Sequence, residues 1–244
     1  MMKSIESIDS DRDTDFDKIV QRYNIIEKNA TTLWYLGYKY LFSYLHPIRS
    51  KTILDYGCGS GTFCRFLHER KAIVTGVDIS ENKIKKAKED YSDGIAYNQI
   101  TSGNLGFMAE NSFDFALSNF VLSTISSRKE LIEIMKSVFR VLKKGGSFII
   151  LNLNWDKSNG KEFISFKLQF SGDLYSGKPV TTEIKTEPPI ILNDFYWSKA
   201  DYLDLLTDSG FEIHGINAPL AKGNNMPWIA ERFYPPYHII HAKK

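Results

Sequence analysis

Cysteine is nearly absent from this chain of 244 residues: there are two, Cys58 and Cys64. One falls in a glycine turn and the other in the helix that follows, a poor arrangement for a disulfide. Neither has the His or Cys neighbours a metal site needs. Charge of one sign is lacking too. The formal net charge of +2 gives no electrostatic case for a polyanionic partner, so no nucleic acid is expected. No run of roughly 18 apolar residues is there to span a membrane. The polar, acidic start MMKSIESIDSDRDTDFDK has no apolar segment of the kind a signal peptide carries. A cytoplasmic location is expected. The five histidines, His46, His68, His214, His238 and His241, fall into no Ser-His-Asp order and no zinc spacing. Each reads as structural rather than catalytic.

What is there is an ordinary globular composition, 43% hydrophobic and 25% charged. Residues 1–15 alternate Asp and Ser with little to bury and are expected to be a disordered tail. Residues 16–244 are expected to form a single domain. Within it, residues 16–47 carry apolar and aromatic positions at three- and four-residue intervals, predicting a helical cap that Pro47 closes. An alternation of strands and helices then runs through residues 51–154. KTILDYG, KAIVTGVDIS, GIAYNQIT, SFDFALSNFVL and GSFIILNLN read as strands. TFCRFLHER, ENKIKKAKEDY and RKELIEIMKSVFRVLKKG read as helices. Connections of this length imply right-handed crossovers and a parallel sheet covered on both faces, a doubly wound α/β fold. Residues 155–197 break the rhythm: FKLQF and PVTTEIK look extended between Gly and Pro turns, predicting a β-rich insertion. Residues 198–244 supply a closing helix, SKADYLDLLTDSG, and two strands, FEIHGI and YHIIHAKK.

The chemistry concentrates at ILDYGCGSGTF, where a buried strand runs through a glycine turn into a helix. The dinucleotide fingerprint spaces its glycines G-x-G-x-x-G and sets a pyrophosphate on the helix N-terminus. Here Gly57, Gly59 and Gly61 give G-x-G-x-G, and Asp55 stands just before the first. A carboxylate so placed repels a pyrophosphate and favours a cationic or amino-bearing ligand. The next strand ends in Asp78, at the distance where an acid accepts bonds from both ribose hydroxyls. Together these describe an adenosine-like ligand without a pyrophosphate, which S-adenosylmethionine fits.

On LDYGCGSGTF, VTGVDISENKIKKAK, NSFDFALSNFVLSTI and RVLKKGGSFIILNLN, in this order and spacing, the chain resembles the class I S-adenosylmethionine-dependent methyltransferases, in their small-molecule branch. The resemblance implies a mostly parallel seven-stranded sheet, Rossmann-like, whose last strand inserts antiparallel. It implies S-adenosyl-L-methionine as cofactor and S-adenosyl-L-homocysteine as product. Carried onto this sequence, Asp55, Gly57, Cys58, Gly59 and Gly61 are expected at the methionine portion and Asp78 at the ribose. Ile79 and Lys83 are expected near adenine and ribose, and Ser118, Asn119 and Phe120 on the sulfonium side. Thr101 and Ser102 stand where many members carry an acid for the adenine amino group.

Methyl transfer from a sulfonium needs positioning, desolvation and, for a hydroxyl or ammonium, removal of a proton. Some relatives place a histidine after the fourth strand; this chain has Ser123 in NFVLSTISS, so the acceptor needs little base assistance or the base comes from elsewhere. Tyr23, Ser123, Asn152 and Trp155 are the catalytic candidates. Trp34, Tyr35, Asn154, Tyr196 and Trp197 are further candidates for the acceptor pocket. The expected reaction is methylation of oxygen or nitrogen on a small organic metabolite. Methylation of a tRNA base or protein, and a catalytically silent scaffold of the same fold, are the alternatives. The aromatic cap and the β-rich insertion are expected to enclose the small organic acceptor, and the insertion has an alternative role, edge-to-edge pairing into a homodimer.

Overall fold

The computed structural model describes residues 30–244 except 92, 157 and 224–225. Tyr23 and the tail therefore lie outside the described residues. The first described element is one continuous helical segment, α1. It is π-type over Leu33–Tyr38, α over Lys39–Phe42 and 3-10 over Ser43–Leu45. Its apolar side buries Trp34, Leu36, Leu41 and Leu45. Trp34 packs on Phe66, and Tyr38 stacks on Phe63, which ties α1 to the helix after the glycine turn.

Seven strands make the main sheet: β1 (Thr52–Tyr56), β2 (Ile73–Asp78), β3 (Ile95–Gln99), β4 (Phe113–Asn119), β5 (Leu142–Leu153), β9 (Glu212–Asn217) and β10 (Tyr237–Lys243). Their order is β3-β2-β1-β4-β5-β10-β9. The first five run parallel, and β10 enters antiparallel between β5 and β9. The Rossmann-like methyltransferase fold expected from the sequence is thus the fold observed. Near-continuous burial of Ile53 to Tyr56 and of Phe148 to Leu151 is what a sheet covered on both faces requires.

The helices follow their capping signals. In α2 (Thr62–Glu69), Phe63, Cys64, Phe66 and Leu67 face the core. In α3 (Glu81–Asp90), capped by Ser80, only Ile84 and Ala87 are buried, so its lysine run is a solvated face. In α4 (Arg128–Val141), capped by Ser127, Leu131, Ile134, Met135, Val138 and Val141 form the buried stripe. A capping box of Ser198 and Asp201 opens α5 (Lys199–Asp208).

Three boundaries differ from expectation. The helix read through Gly145 stops at Val141, because Leu142 already pairs with Phe113 in the sheet. The fourth strand ends at Asn119 rather than Leu122, where Phe120 turns to φ 60°. The insertion is a separate antiparallel sheet of three strands, β6 (Phe166–Gln169), β7 (Lys178–Ile184) and β8 (Ile190–Tyr196), of which β8 was not read as a strand.

Candidate active site

At the C-terminal ends of β1 and β2 the chain makes the turn the glycines predict. Gly57, Gly59 and Gly61 all have positive φ, at 82°, 55° and 80°, a region an L side chain enters only at a cost. Gly57 is required twice over, because a Cβ there would sit 2.0 Å from Val121 Cγ2. A Cβ on Gly59 would meet no atom within 4 Å, so that position faces open space. The turn is tied to the end of β2: Asp78 Oδ2 accepts the Gly59 N–H at 2.9 Å and Oδ1 accepts the Ser80 N–H at 2.9 Å. Asp78 and the glycine turn are therefore one hydrogen-bonded unit.

A cavity of about 530 Å³ opens here, within the size range of small-molecule sites. Of the residues expected at the cofactor, Gly57, Asp78, Ile79, Lys83, Ser102, Asn119 and Phe120 line it. Ile79 is 60% exposed, an apolar side chain presented to the cavity. Cys58, Gly59, Gly61, Thr101 and Ser118 lie behind or beside this lining. Cys58 is buried, its thiol 3.6 Å from the Gly59 carbonyl. Asp55 is fully buried beneath the turn, where its Oδ2 accepts the Cys64 thiol at 3.2 Å. Burial, countered by that thiol and reinforced by the nearby Asp78, pushes its carboxyl up to about 6.

Several buried atoms around this end have no partner among the described residues: Asp55 Oδ1, Ser118 Oγ, Asn119 Oδ1 and Tyr97 OH. Such atoms are costly unless something donates to or accepts from them. Two of the four can only accept, and among the described residues Lys83 is the one lysine that lines the cavity. An adenosine ligand carrying an ammonium fits this donor-poor surface. A ligand with a pyrophosphate does not, having Asp78 to face, with Asp55 buried behind the turn.

The residues lining the far end of the cavity are none of the acceptor candidates named from the sequence. One face of the insertion sheet roofs it. Register pairs Val180 with Asp194, Thr182 with Leu192, and Ile184 with both Ile190 and Phe166. The alternation of strand side chains therefore sends Phe166, Thr182, Ile184, Leu192 and Asp194 to the same side, and all five line the cavity together with Leu33, Leu153 and Tyr237. Asp194 is 7% exposed. Burial, countered by the Ser123 hydroxyl, pushes its carboxyl up to about 6. A carboxylate in an inward-facing row of an otherwise apolar strand is the signal that would have found it, had β8 been recognised.

The other sequence candidates fall elsewhere. Ser123 sits in a 3-10 turn, Leu122–Thr124, behind Asp194. Asn152, Asn154 and Trp155 are buried but do not line the cavity. Trp34 belongs to the core and Tyr35 packs edge-on against Trp228. Tyr196 donates to Asp156 Oδ1 at 2.9 Å, and Trp197 Nε1 donates to the Ile125 carbonyl at 2.8 Å.

The roof is held down by a carboxylate that sequence spacing does not reveal. Glu231, fully buried, accepts from Thr32 Oγ1 at 2.9 Å and the Ile164 N–H at 2.6 Å through Oε1. Its Oε2 accepts the Ile229 N–H at 2.9 Å. It thereby joins the start of α1, the entry to the insertion and the loop before β10. Its neighbours Ala30, Leu33, Ser165 and Phe166 all line the cavity.

A family model described as "Methyltransferase domain" matches residues 54–150. Over 163 residues the chain is 31% identical to N-demethylindolmycin N-methyltransferase of Streptomyces griseus, covering 65% of this chain and 68% of that protein. Over 110 residues it is 28% identical to a ubiquinone biosynthesis O-methyltransferase of Pseudomonas paraeruginosa, covering 44% of this chain and 46%, less than half, of that one. A solved S-adenosylmethionine dependent methyltransferase of Mesorhizobium loti superposes with TM-score 0.66 at 22% identity, over 87% of this chain and 98% of that chain. One from Clostridium acetobutylicum gives 0.61 at 16% identity, over 93% and 98%. The likeness to these two structures is one of fold. Among the described residues, no helix is long and apolar enough to cross a membrane.

Proposed function

Since this chain belongs to the S-adenosylmethionine-dependent methyltransferases, with S-adenosylmethionine as its methyl donor, we propose that it methylates oxygen or nitrogen on a small organic molecule held under the insertion sheet. The observation that carries this reading is the continuity of the cavity. One space runs from Gly57, Asp78 and Ile79 to Phe166, Leu192 and Asp194. Both named relatives act on small molecules, one at nitrogen and one at oxygen.

When bound, S-adenosylmethionine supplies a methyl group already activated on a sulfonium. The residues of the chain do the rest. Asp78, fixed by the Gly59 and Ser80 N–H groups, keeps lone pairs for the two ribose hydroxyls. Ile79 offers its apolar surface to the adenine. Asn119, with its unpartnered acceptor oxygen in the cavity wall, takes a donor at the methionine end, and Asp55 adds negative charge from beneath the turn. Phe120, in a left-handed conformation unfavourable for an aromatic residue, lines the cavity just past the end of β4. The roof of Phe166, Ile184 and Leu192, with Leu33, Leu153 and Tyr237, excludes water and aligns the acceptor.

Calorimetric titration with S-adenosylmethionine, S-adenosylhomocysteine and NADH tests the donor site. Micromolar binding of the first two, weakened on Asp78→Ala, with none for NADH, is the expected result. Binding unaffected by Asp78→Ala would contradict the assignment. Turnover of a small-molecule panel, read as S-adenosylhomocysteine released, tests the acceptor side.

A further inference from the structure

Among the described residues the acceptor end of the cavity has one carboxylate, Asp194, in walls that are mostly apolar, with Ser165, Thr182, Asn193 and the Tyr237 phenol as the other polar groups. Its place on β8 is one where the strand alternation calls for an apolar residue: Ile190 and Leu192 precede it on the same face. Facing it are the Ser123 hydroxyl from the turn after β4, the Tyr202 phenol from α5 and, across β7, Val180. Among the described residues that face it, none brings a positive charge. Ser123 is its hydrogen-bond partner, yet the same hydroxyl lies 3.1 Å from the Phe120 carbonyl and has one proton to give. The carboxylate is therefore short of donors. Nearby on β7, Thr182 Oγ1 is buried and has no partner among the described residues. Two polar groups point into a mostly apolar chamber that supplies them with too little to bind.

We propose that Asp194 binds the nitrogen of an amine with an apolar body and takes up its proton for methyl transfer. This rests on the methyltransferase reading above and narrows its acceptor to nitrogen. A carboxylate with no cation beside it attracts an ammonium and repels a carboxylate or phosphate acceptor. The ammonium gives one proton to Asp194, which frees the nitrogen lone pair. That pair forms the N–C bond as the S–C bond breaks, and the electrons of the broken bond stay on sulfur, leaving a neutral thioether. Asp194 then returns its proton to solvent. Ser123 lies between this carboxyl and the Phe120 carbonyl, at the end of β4, where the family places the sulfonium side of the donor. The base absent from the segment after β4 is thus supplied by the insertion. A carboxyl raised toward neutrality by burial is better matched to accepting a proton near pH 7 than an ordinary one.

The test uses the full chain, as wild type and Asp194→Asn, both saturated with S-adenosylhomocysteine. Each is titrated calorimetrically with tryptamine, tyramine and phenethylamine, and with the corresponding alcohols. The wild type is expected to bind at least one amine about tenfold more tightly than its alcohol. Asp194→Asn is expected to bring the pair within about twofold while leaving S-adenosylhomocysteine affinity unchanged, which also reports that the variant is folded. The best amine is then followed as substrate against pH: wild-type rate rises with a midpoint near 6, the value burial gives this carboxyl, and the variant loses that limb. An amine preference that survives in Asp194→Asn would overturn the proposal. So would wild-type preference for the alcohols, or binding of neither set. Failure of wild type to bind S-adenosylhomocysteine would overturn the donor assignment instead.

Discussion

Three buried or half-buried carboxylates separate the two ends of the cavity from the scaffold behind them. Asp114, at the opposite end of the central strands, is surrounded by donors: the Thr52 N–H at 2.9 Å, Thr52 Oγ1 at 2.8 Å and Lys143 Nζ at 2.9 Å. Desolvation opposes its ionisation, but the Thr52 and Lys143 donors prevail and hold its carboxyl well below the usual range. Asp55 under the glycine turn and Asp194 in the roof have few donors, and burial pushes both up to about 6. The fold satisfies its structural carboxylate and leaves the two near the cavity wanting partners, which is how binding sites differ from scaffolds. The two ends also differ from each other. The donor end is built from backbone geometry, with positive-φ glycines and N–H groups; the acceptor end is built from side chains on alternating strand positions.

The largest effect should come from the donor end. Gly57→Ala places a Cβ 2.0 Å from Val121 Cγ2, so S-adenosylmethionine affinity should fall by about 100-fold or more, roughly 3 kcal/mol. Thr182→Val in the roof should leave it within about twofold. Equal losses in both, measured calorimetrically, would erase the division between the ends.

Glu231→Ala removes the acceptor of three donors from three segments. Leaving them buried without it should cost roughly 3 kcal/mol in urea unfolding. A loss under about 1 kcal/mol would show that the roof is held by packing alone.

Asp194→Asn should do the reverse. The folded carboxyl, at about 6, lies above the ordinary unfolded value near 3.9. Its ionisation therefore costs stability as pH rises through 6, whereas below pH 4 both states are protonated and the cost vanishes. The variant should be more stable than wild type by about 1–2 kcal/mol at pH 8 and equal to it at pH 3.5. Asp114→Asn should instead destabilise at pH 7, with the difference shrinking as pH falls below the ordinary carboxylate range. Thermal melts across pH would contradict the contrast if both variants shifted the same way.

Smallest is Ile79→Ala. Trimming an exposed apolar contact with the adenine should weaken S-adenosylmethionine binding by only about 3- to 10-fold, with no effect on an acceptor amine.

The donor end was legible in the sequence because its determinants are local. A glycine at positive φ leaves a mark in the sequence wherever no other residue tolerates the turn, and Asp78 follows at a fixed distance along the next strand. The sheet was legible for the same reason, through strand and helix periods. The roof was not. In IILNDFY the outward-facing Ile191, itself 53% exposed, turns alternation into a short apolar run and hides that Asp194 points inward. Ser123 read as a lost histidine, because the carboxylate it serves arrives from a segment 71 residues later. Glu231 could not be read at all, since its partner Thr32 lies 199 residues away and buried hydrogen bonds of that span have no spacing.

The most direct test is a crystal structure with S-adenosylhomocysteine and the tightest-binding amine. The account predicts ribose hydroxyls on Asp78, adenine against Ile79, and the amine nitrogen within hydrogen-bond distance of Asp194 and facing the sulfur. An amine bound outside the roof, or a nucleoside bound away from Asp78, would contradict it.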